Sequence, residues 1–186
     1  MLTQYLNELN HLFRSMKISN ASGACLSTDD GAHAAIALIE ETKRRNGKAM
    51  VVGNGGSAAI ASHTQNDFCK AVGMRSLVFT EPPLLTALSN DDSYQSAYES
   101  LIRLWAVKGD LLVAISSSGC SENILRSVKA AKDAECKVIT MTGFRADNPL
   151  RRTGDVNFYI PSADYGPVEI THAALAQFLT DAVKIK

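Results

Sequence analysis

The sequence predicts an α/β fold in which helices cover both faces of a parallel β-sheet. Two observations lead to this prediction. Apolar runs of four or five residues recur along the chain, and segments with helical periodicity separate them. Runs that are apolar throughout are typical of strands buried on both faces. Strands that alternate with helices predict parallel pairing through right-handed crossovers, and therefore a three-layer αβα sandwich.

Five apolar runs are predicted to form this sheet: 49–52, 76–79, 111–115, 137–141 and 156–160. In such folds, ligands bind where loops leave the carboxyl ends of the strands. The sequence should therefore carry its chemistry after Val52, after Ile115 and after Met141.

Two helices are predicted before the first of these strands. Apolar residues recur at helical spacing between Leu2 and Met16, and a second helix runs from about Asp30 to Arg45, before a glycine that favours termination. We therefore divide a single domain, 1–186, into N-terminal helices over 1–46 and a parallel α/β core over 47–186. The apolar stripe of the first helix is expected to be covered by a partner subunit.

The composition of the 186-residue chain excludes several classes of protein. It has 19 basic and 19 acidic residues, so nothing indicates a nucleic-acid partner. No stretch approaches the roughly 20 apolar residues that span a bilayer, so no membrane partner is expected. The four cysteines form no CxxC pair, which favours reduced thiols and a cytoplasmic location.

The loop after the first core strand, residues 53–57, is called the glycine turn below. It reads Gly-Asn-Gly-Gly-Ser. Its glycines let the backbone approach a ligand closely, and Ser57 can cap the helix that follows. It is neither a GxGxxG turn nor a Walker loop, which argues against a nucleotide-binding dehydrogenase. A tight turn without a ligand is the alternative interpretation.

The loop after the third core strand, residues 116–121, is called the serine turn. It reads Ser-Ser-Ser-Gly-Cys-Ser, with four hydroxyls in six positions. Free N–H groups at the start of a helix attract an anion, and hydroxyls donate further hydrogen bonds. We interpret this turn as a phosphate-binding site. A helix cap without a ligand is the alternative.

Taken together, the two turns resemble those of the SIS domain, the phosphosugar-binding module of sugar isomerases. The order and spacing of the motifs are similar to those of the phosphoheptose isomerase family over nearly the whole chain. Further matches are Asn90-Asp91, Gly109-Asp110 and the segment 169–172. The resemblance implies a five-stranded, flavodoxin-like sheet and a homotetramer with active sites between subunits. It also implies isomerisation of sedoheptulose 7-phosphate to D-glycero-D-manno-heptose 7-phosphate, a step of lipopolysaccharide biosynthesis.

The resemblance also implies which residues bind the phosphorylated sugar. The expected binding residues are Asn54, Gly55, Gly56, Ser57, Asn90, Asp91, Ser116, Ser117, Ser118 and Ser121.

The catalytic positions depart from the family's motif. The family has His-x-x-x-Glu after the glycine turn, whereas this chain has His63 and Asp67. The family's last helix has glutamine and, eight residues later, histidine; here these positions hold Glu169 and Gln177. We expect Asp67 to act as the base with help from Glu169. Gln177 stands at a catalytic position but cannot act as a general base.

Two interpretations of the metal remain open. Many members of the family carry zinc, and His63, Asp67 and Glu169 could form a site with one histidine and two carboxylates. Alternatively, His63 is a hydrogen-bonded helix residue near the pocket and no metal binds. No organic cofactor is expected.

Two functions are consistent with these residues. The first is a phosphosugar aldose–ketose isomerase of the phosphoheptose isomerase type. The second is a non-catalytic SIS protein that senses a phosphosugar or docks onto another protein, as some relatives dock onto the bacterial replication initiator. The retained carboxylates favour the enzyme, and the absent histidine at Gln177 favours the binding protein.

Overall fold

The computed structural model describes residues 1–184 and contains both helices and strands along this length. The α-helices are α1 (Leu2–Ser15), α2 (Thr28–Arg44), α3 (Gly56–Asp67), α4 (Pro82–Asp91), α5 (Tyr94–Trp105), α6 (Glu122–Asp133) and α7 (Tyr165–Val183). The strands are β1 (Lys17–Asn20), β2 (Cys25–Leu26), β3 (Lys48–Val52), β4 (Arg75–Val78), β5 (Leu111–Ser116), β6 (Lys137–Thr142) and β7 (Val156–Tyr159). A π-helical segment, Phe68–Val72, extends α3, and a 3₁₀ helix, Pro149–Arg152, precedes β7.

The strands form one sheet in the order β2-β1-β7-β6-β5-β3-β4. The five strands from β3 to β7 pair in parallel, in the order of a flavodoxin-like sheet. This confirms the predicted fold class. The strands follow the predicted runs to within one residue at each end.

The sequence analysis missed the hairpin of β1 and β2, which lies inside the region predicted to be helical. Strand β1 pairs antiparallel with β7, and β2 pairs antiparallel with β1. The two strands have only four and two residues, and Ile18 is the single large apolar residue of β1. Strands this short show no hydrophobic run in the sequence. Their position depends instead on backbone hydrogen bonds, and β1 pairs with β7, where Asn157 lies 138 residues after its partner Ser19.

Helix α2 shows how local sequence sets the helix ends. The side chain of Ser27 accepts a hydrogen bond from the backbone N–H of Asp30 at the first turn. Acidic residues in the first turn and basic residues in the last turn oppose the partial charges of the helix dipole. The helix therefore begins two residues earlier than the periodicity alone predicts.

The sheet is buried on both faces, which explains why its strands are apolar throughout. One face packs against α2, α3 and α7, and the other against α5 and α6. The apolar core on the face covered by α2, α3 and α7 includes Ile39, Val51, Val113, Ile139 and Leu179. The apolar core on the face covered by α5 and α6 includes Met50, Ile102, Leu112, Ile124 and Val138.

The fold brings the two predicted turns together at the centre of the sheet. Strands β3 and β5 are neighbours, although β4 lies between them in sequence, so the chain changes direction across the sheet at this pair. The glycine turn leaves the carboxyl end of β3, and the serine turn leaves the carboxyl end of β5. In open parallel sheets, this crevice is the usual place for a ligand.

Candidate active site

The glycine turn adopts a backbone that needs its glycines. Gly55 has a left-handed φ of 54° and precedes the first residue of α3. A methyl group on Gly56 would lie 2.2 Å from Oε2 of Glu169, so this carboxylate is packed directly against the turn. The carbonyl of Gly53 accepts a hydrogen bond from the hydroxyl of Tyr98, at 2.9 Å.

A pair of amides joins the two turns. Asn54 Nδ2 donates to Asn123 Oδ1, and Asn123 Nδ2 donates back to Asn54 Oδ1, both at 2.9 Å. The hydroxyl of Tyr94 also donates to Asn54 Oδ1, at 2.7 Å. Asn54 is therefore held in one orientation, and one hydrogen of its amide nitrogen remains for a ligand.

The serine turn curls over the start of α6. The backbone N–H of Gly119 donates to Oγ of Ser116 at 3.2 Å, and that of Cys120 donates to Oγ of Ser118 at 3.2 Å. Ser117 differs from these residues: it is 4% exposed, and its Oγ has no hydrogen-bond partner in the described part of the chain. A buried hydroxyl without a partner is costly, so Oγ of Ser117 is available to hydrogen-bond with a ligand.

A cavity of about 100 Å³, the serine cavity, lies between the two turns. It is lined by the four serines of the serine turn, by Asn54 and Ser57 of the glycine turn, and by Tyr165 and Glu169 of α7. Among the described residues, no lysine or arginine lines it. Complete ligand pockets usually measure about 300–1,000 Å³, so this volume suits a phosphoryl group and leaves the rest of a ligand outside it.

The first turns of α7 form one wall of the serine cavity. Glu169 is partly buried against Gly56 and is the one ionisable carboxylate among the lining residues. The ring of Tyr165 makes an edge contact with Phe144, with centroids 4.8 Å apart. The sequence analysis missed Tyr165, although its position four residues before Glu169 on a helix places both on one face.

His63, Asp67 and Gln177 form a second group, called the histidine cluster. His63 Nε2 lies 2.9 Å from Gln177 Oε1 and 3.4 Å from Asp67 Oδ2. None of the three lines the serine cavity. Gln177 follows Glu169 by eight residues, which is about 12 Å along a helix axis. The predicted catalytic residues are therefore divided between the serine cavity and this cluster.

The predicted zinc ligands are not gathered within one chain. Among residues 1–184, no group of three His, Cys, Asp or Glu side chains is close enough to hold a metal ion. Glu169 lies against Gly56, whereas His63 bonds to Gln177 about two helical turns further along α7. Glu169 of α7 contacts Gly56 at the start of α3, whereas Asp67 is the last residue of α3, so the described chain does not bring these two carboxylates together.

Asn90 and Asp91 are also placed away from the serine cavity. They are exposed residues at the end of α4, and Asn90 Nδ2 donates to Asp91 Oδ1 at 2.8 Å. Neither residue lines the serine cavity, although Tyr94, at the start of α5 and three residues after Asp91, donates to Asn54 of the glycine turn. The single chain does not bring these two residues to the cavity.

His172 anchors α7 to the sheet. It is fully buried, and its Nε2 lies 3.1 Å from the carbonyl oxygen of Thr142, at the end of β6. Burial lowers the pKa of His172 from 6.5 to about 4, although the contact with Thr142 opposes this shift. The ring is therefore neutral at pH 7, and Nε2 donates its hydrogen to Thr142.

The fold and the site together define a class of protein, an α/β domain that binds a phosphorylated ligand at the centre of a parallel sheet. The family model described as the SIS domain matches residues 5–143. The chain therefore belongs to the SIS-domain family, as the two turns predicted.

Several proteins that are similar to this chain are phosphoheptose isomerases. The phosphoheptose isomerase of Aliarcobacter butzleri is 34% identical over 141 residues, which cover 73% of this chain and 74% of that protein. The phosphoheptose isomerase of Helicobacter pylori is 30% identical over 153 residues, or 79% of each chain. The solved phosphoheptose isomerase GmhA of Neisseria gonorrhoeae superposes with a TM-score of 0.84 at 25% identity, over 98% of this chain and 97% of that one.

Within residues 1–184, none of the helices combines the length and the apolar content needed to cross a bilayer.

Proposed function

We propose that this protein is a phosphosugar aldose–ketose isomerase that converts sedoheptulose 7-phosphate to D-glycero-D-manno-heptose 7-phosphate. The observation that carries the proposal is the serine cavity, in which a buried, unpartnered hydroxyl and a carboxylate face the same space. The identity to phosphoheptose isomerases over three quarters of the chain supports the same substrate.

The phosphate is bound in this proposal without a fixed positive charge. The first N–H groups of α6 have no partner within the helix, and the partial positive charge of the helix end favours an anion. Ser117 and Ser121 add hydroxyl donors, since the side chain of Ser121 makes no capping hydrogen bond. Such a site binds a phosphomonoester in either of its ionic forms.

The carboxylate of Glu169 is the proposed base. It removes a proton from C1 of the ketose while the C2 carbonyl oxygen gains one, which gives an enediol. The aldose forms when C2 accepts a proton and the C1 hydroxyl loses one, so no net proton is consumed. Within residues 1–184, no lysine or arginine lines the cavity, so no ion pair with a lining residue occupies the Glu169 carboxylate.

The histidine cluster is proposed to complete the site in a homotetramer. The serine cavity is too small for a whole sugar, so the sugar carbons extend toward the surface of the chain. Exposed apolar side chains on α1 and α7, among them Leu2, Leu6 and Phe178, support subunit contacts near this surface. In this arrangement, Asp67 and His63 serve as the second acid–base pair.

The decisive experiment is turnover of sedoheptulose 7-phosphate by the purified protein, followed by NMR of the sugar. We expect Glu169→Gln to abolish turnover while phosphate binding persists, and Glu40→Gln, on the exposed face of α2, to behave as wild type. Parallel assays with added zinc and with a chelator test the metal separately. Absence of turnover under both conditions, with every heptose and hexose phosphate, would refute the proposal.

A non-catalytic phosphosugar-binding or protein-docking regulator is the second candidate. The observation that favours it is the division of the acid–base groups between the serine cavity and the histidine cluster, where His63 is hydrogen-bonded to Gln177. The double variant Asp67→Glu/Gln177→His distinguishes the two functions. Activity confined to the double variant would favour the regulator, whereas activity of the natural protein excludes it.

We also propose a cytoplasmic location. Sugar phosphates are cytoplasmic metabolites, and Cys25, Cys69, Cys120 and Cys136 are all free thiols, as expected in a reducing compartment.

A further inference from the structure

A second cavity, the arginine cavity, is lined in part by the 3₁₀ helix. It measures about 430 Å³ and is formed by the β1–β2 turn (19–23), Cys25, Ala146, Arg151 and Arg152. It shares no residue with the serine cavity. Its volume falls in the range of about 300–1,000 Å³ that is typical of small-molecule sites.

The charge of this cavity is positive. Two guanidinium groups line it, and no carboxylate from the described part of the chain does. Asp147 interacts electrostatically with Arg152, but both carboxylate oxygens of Asp147 are hydrogen-bonded to Arg145, at 3.0 and 2.9 Å. The hydrogen bond from Arg145 is the main cause that lowers the pKa of Asp147, and the charge of Arg152 contributes less. An anion would therefore meet little competition from the protein.

One buried residue fixes both walls of the arginine cavity. Asn157, which is 1% exposed, donates through Nδ2 to the carbonyl oxygens of Ser19, at 3.4 Å, and Gly154, at 3.0 Å. Its Oδ1 accepts hydrogen bonds from Thr140 Oγ1 and from the backbone N–H of Gly154, both at 2.8 Å. The hairpin turn and the end of the 3₁₀ helix are thus held at a fixed separation before any ligand arrives.

Arg151 is also held in place. Its Nη1 donates to the carbonyl oxygen of Ala146 at 2.6 Å, and its guanidinium lies 4.2 Å from the centroid of the Tyr159 ring. A guanidinium fixed in this way loses less side-chain entropy when it binds an oxyanion. Ser19 and Ser22 also line the cavity, and the hydroxyl of Ser22 donates to Oδ1 of Asn20 at 2.8 Å.

We propose that the arginine cavity is a second binding site, for a small phosphorylated metabolite, distinct from the proposed substrate site. Planar guanidinium groups recognise phosphate oxygens in pairs, and two of them match the charge of a phosphomonoester. The 3₁₀ helix that carries both arginines also contacts the serine turn, because the N–H of Leu150 donates to the carbonyl oxygen of Gly119 at 3.1 Å. The ligand therefore occupies a position from which it can influence phosphate binding at the serine turn.

Cysteine alkylation resolved by peptide mass spectrometry tests this site with inorganic phosphate as the probe. Cys25 lines the arginine cavity, and Cys69 is exposed outside both cavities. At constant ionic strength, we expect phosphate to slow alkylation of Cys25 severalfold and to leave Cys69 unchanged. We expect Arg151→Gln/Arg152→Gln to remove this protection. Arg152→Gln alone, at an exposed position, should reduce it without affecting the fold.

The outcomes separate this proposal from the proposed function. Equal rates at Cys25 with and without phosphate, or protection that survives in the double variant, would overturn the second site. Succinate in place of phosphate is expected to protect weakly, and equal protection by succinate would contradict a phosphate-specific site. Turnover of sedoheptulose 7-phosphate by the same preparation, measured in parallel, depends on the serine cavity and reports on the proposed function alone.

Discussion

The carboxylate of Glu169 packs so closely against Gly56 that a β-carbon at Gly56 would overlap it. This contact joins the start of α3 to the first turns of α7. It fixes the one carboxylate that faces the serine cavity. The mutual position of these two residues is therefore expected to control the reaction more than the stability of the fold.

Gly56→Ala tests this relationship. The added methyl group must push the Glu169 carboxylate out of its place, and a displacement of about 1 Å can lower a catalytic rate about a hundredfold. We expect kcat to fall strongly, with a small change in melting temperature. Gly166→Ala is the matched control, because a methyl group there would meet no atom within 4 Å. Equal kcat for the two variants would contradict the proposed role of Glu169.

Ser117→Ala should change stability and binding in opposite directions. Because Ser117 Oγ is buried without a partner, its removal is expected to raise the free energy of unfolding by about 1 kcal/mol. The loss of a hydroxyl donor should raise KM for the sugar phosphate about tenfold. Ser127→Ala is the control, since Ser127 is equally buried but donates to the carbonyl oxygen of Ile124. Denaturant unfolding and steady-state kinetics measure the two effects. A destabilised Ser117→Ala protein with unchanged KM would exclude a role in phosphate binding.

The buried imidazole of His172 should make the fold sensitive to acid. Its pKa is lowered from 6.5 to about 4, so between these values the unfolded chain binds a proton that the folded chain does not. Stability from this residue is complete above pH 6.5 and falls by about 1.4 kcal/mol per pH unit as the pH decreases toward 4. Urea unfolding of wild type and His172→Gln from pH 7.5 to 4.5 measures the effect. The variant should show a smaller decrease, and parallel curves would contradict a buried neutral ring.

The amide pair of Asn54 and Asn123 should behave as one unit. Asn123→Ala removes both hydrogen bonds of the pair, and we expect a loss of about 1–3 kcal/mol in the free energy of unfolding. The activity should also fall, because Asn54 then loses two of the three hydrogen bonds that orient it at the edge of the serine cavity. Asn7→Ala, at an exposed position of α1, serves as the control. A double-mutant cycle with Asn54→Ala should give a coupling energy of at least about 0.5 kcal/mol, and strict additivity would show that the pair does not act together.

The sequence predicted the parts of the fold that long apolar runs determine. The five parallel strands and both turns followed from continuous hydrophobicity and from clusters of glycine and serine. The β1–β2 hairpin was missed because its six strand residues are stabilised by pairing with β7 rather than by their own composition. Hydrophobic patterns do not record contacts of this kind.

The sequence predicted many of the residues that line the candidate site, but not how the catalytic side chains are placed relative to one another. Ser117 and Asn54 line the predicted cavity because each follows a strand at the centre of the sheet. The separation of Asp67 from Glu169 was not predictable, since it depends on how far α3 and α7 overlap. Tyr165 was missed because a tyrosine in a helix does not by itself indicate a binding site. Only its position four residues before Glu169, on the same helix face, could have indicated it.

The amide pair also has a consequence for the lifetime of the protein. Asn54 precedes glycine, a sequence in which the following backbone nitrogen readily attacks the asparagine side chain and releases ammonia. Asn46 precedes glycine as well, but it is exposed in a turn. Since Asn123 and Tyr94 hold the Asn54 amide in one orientation, its carbonyl carbon cannot turn toward that nitrogen. During long storage, chemical ageing should therefore begin at Asn46, while the sugar-binding edge of the molecule keeps its original amide.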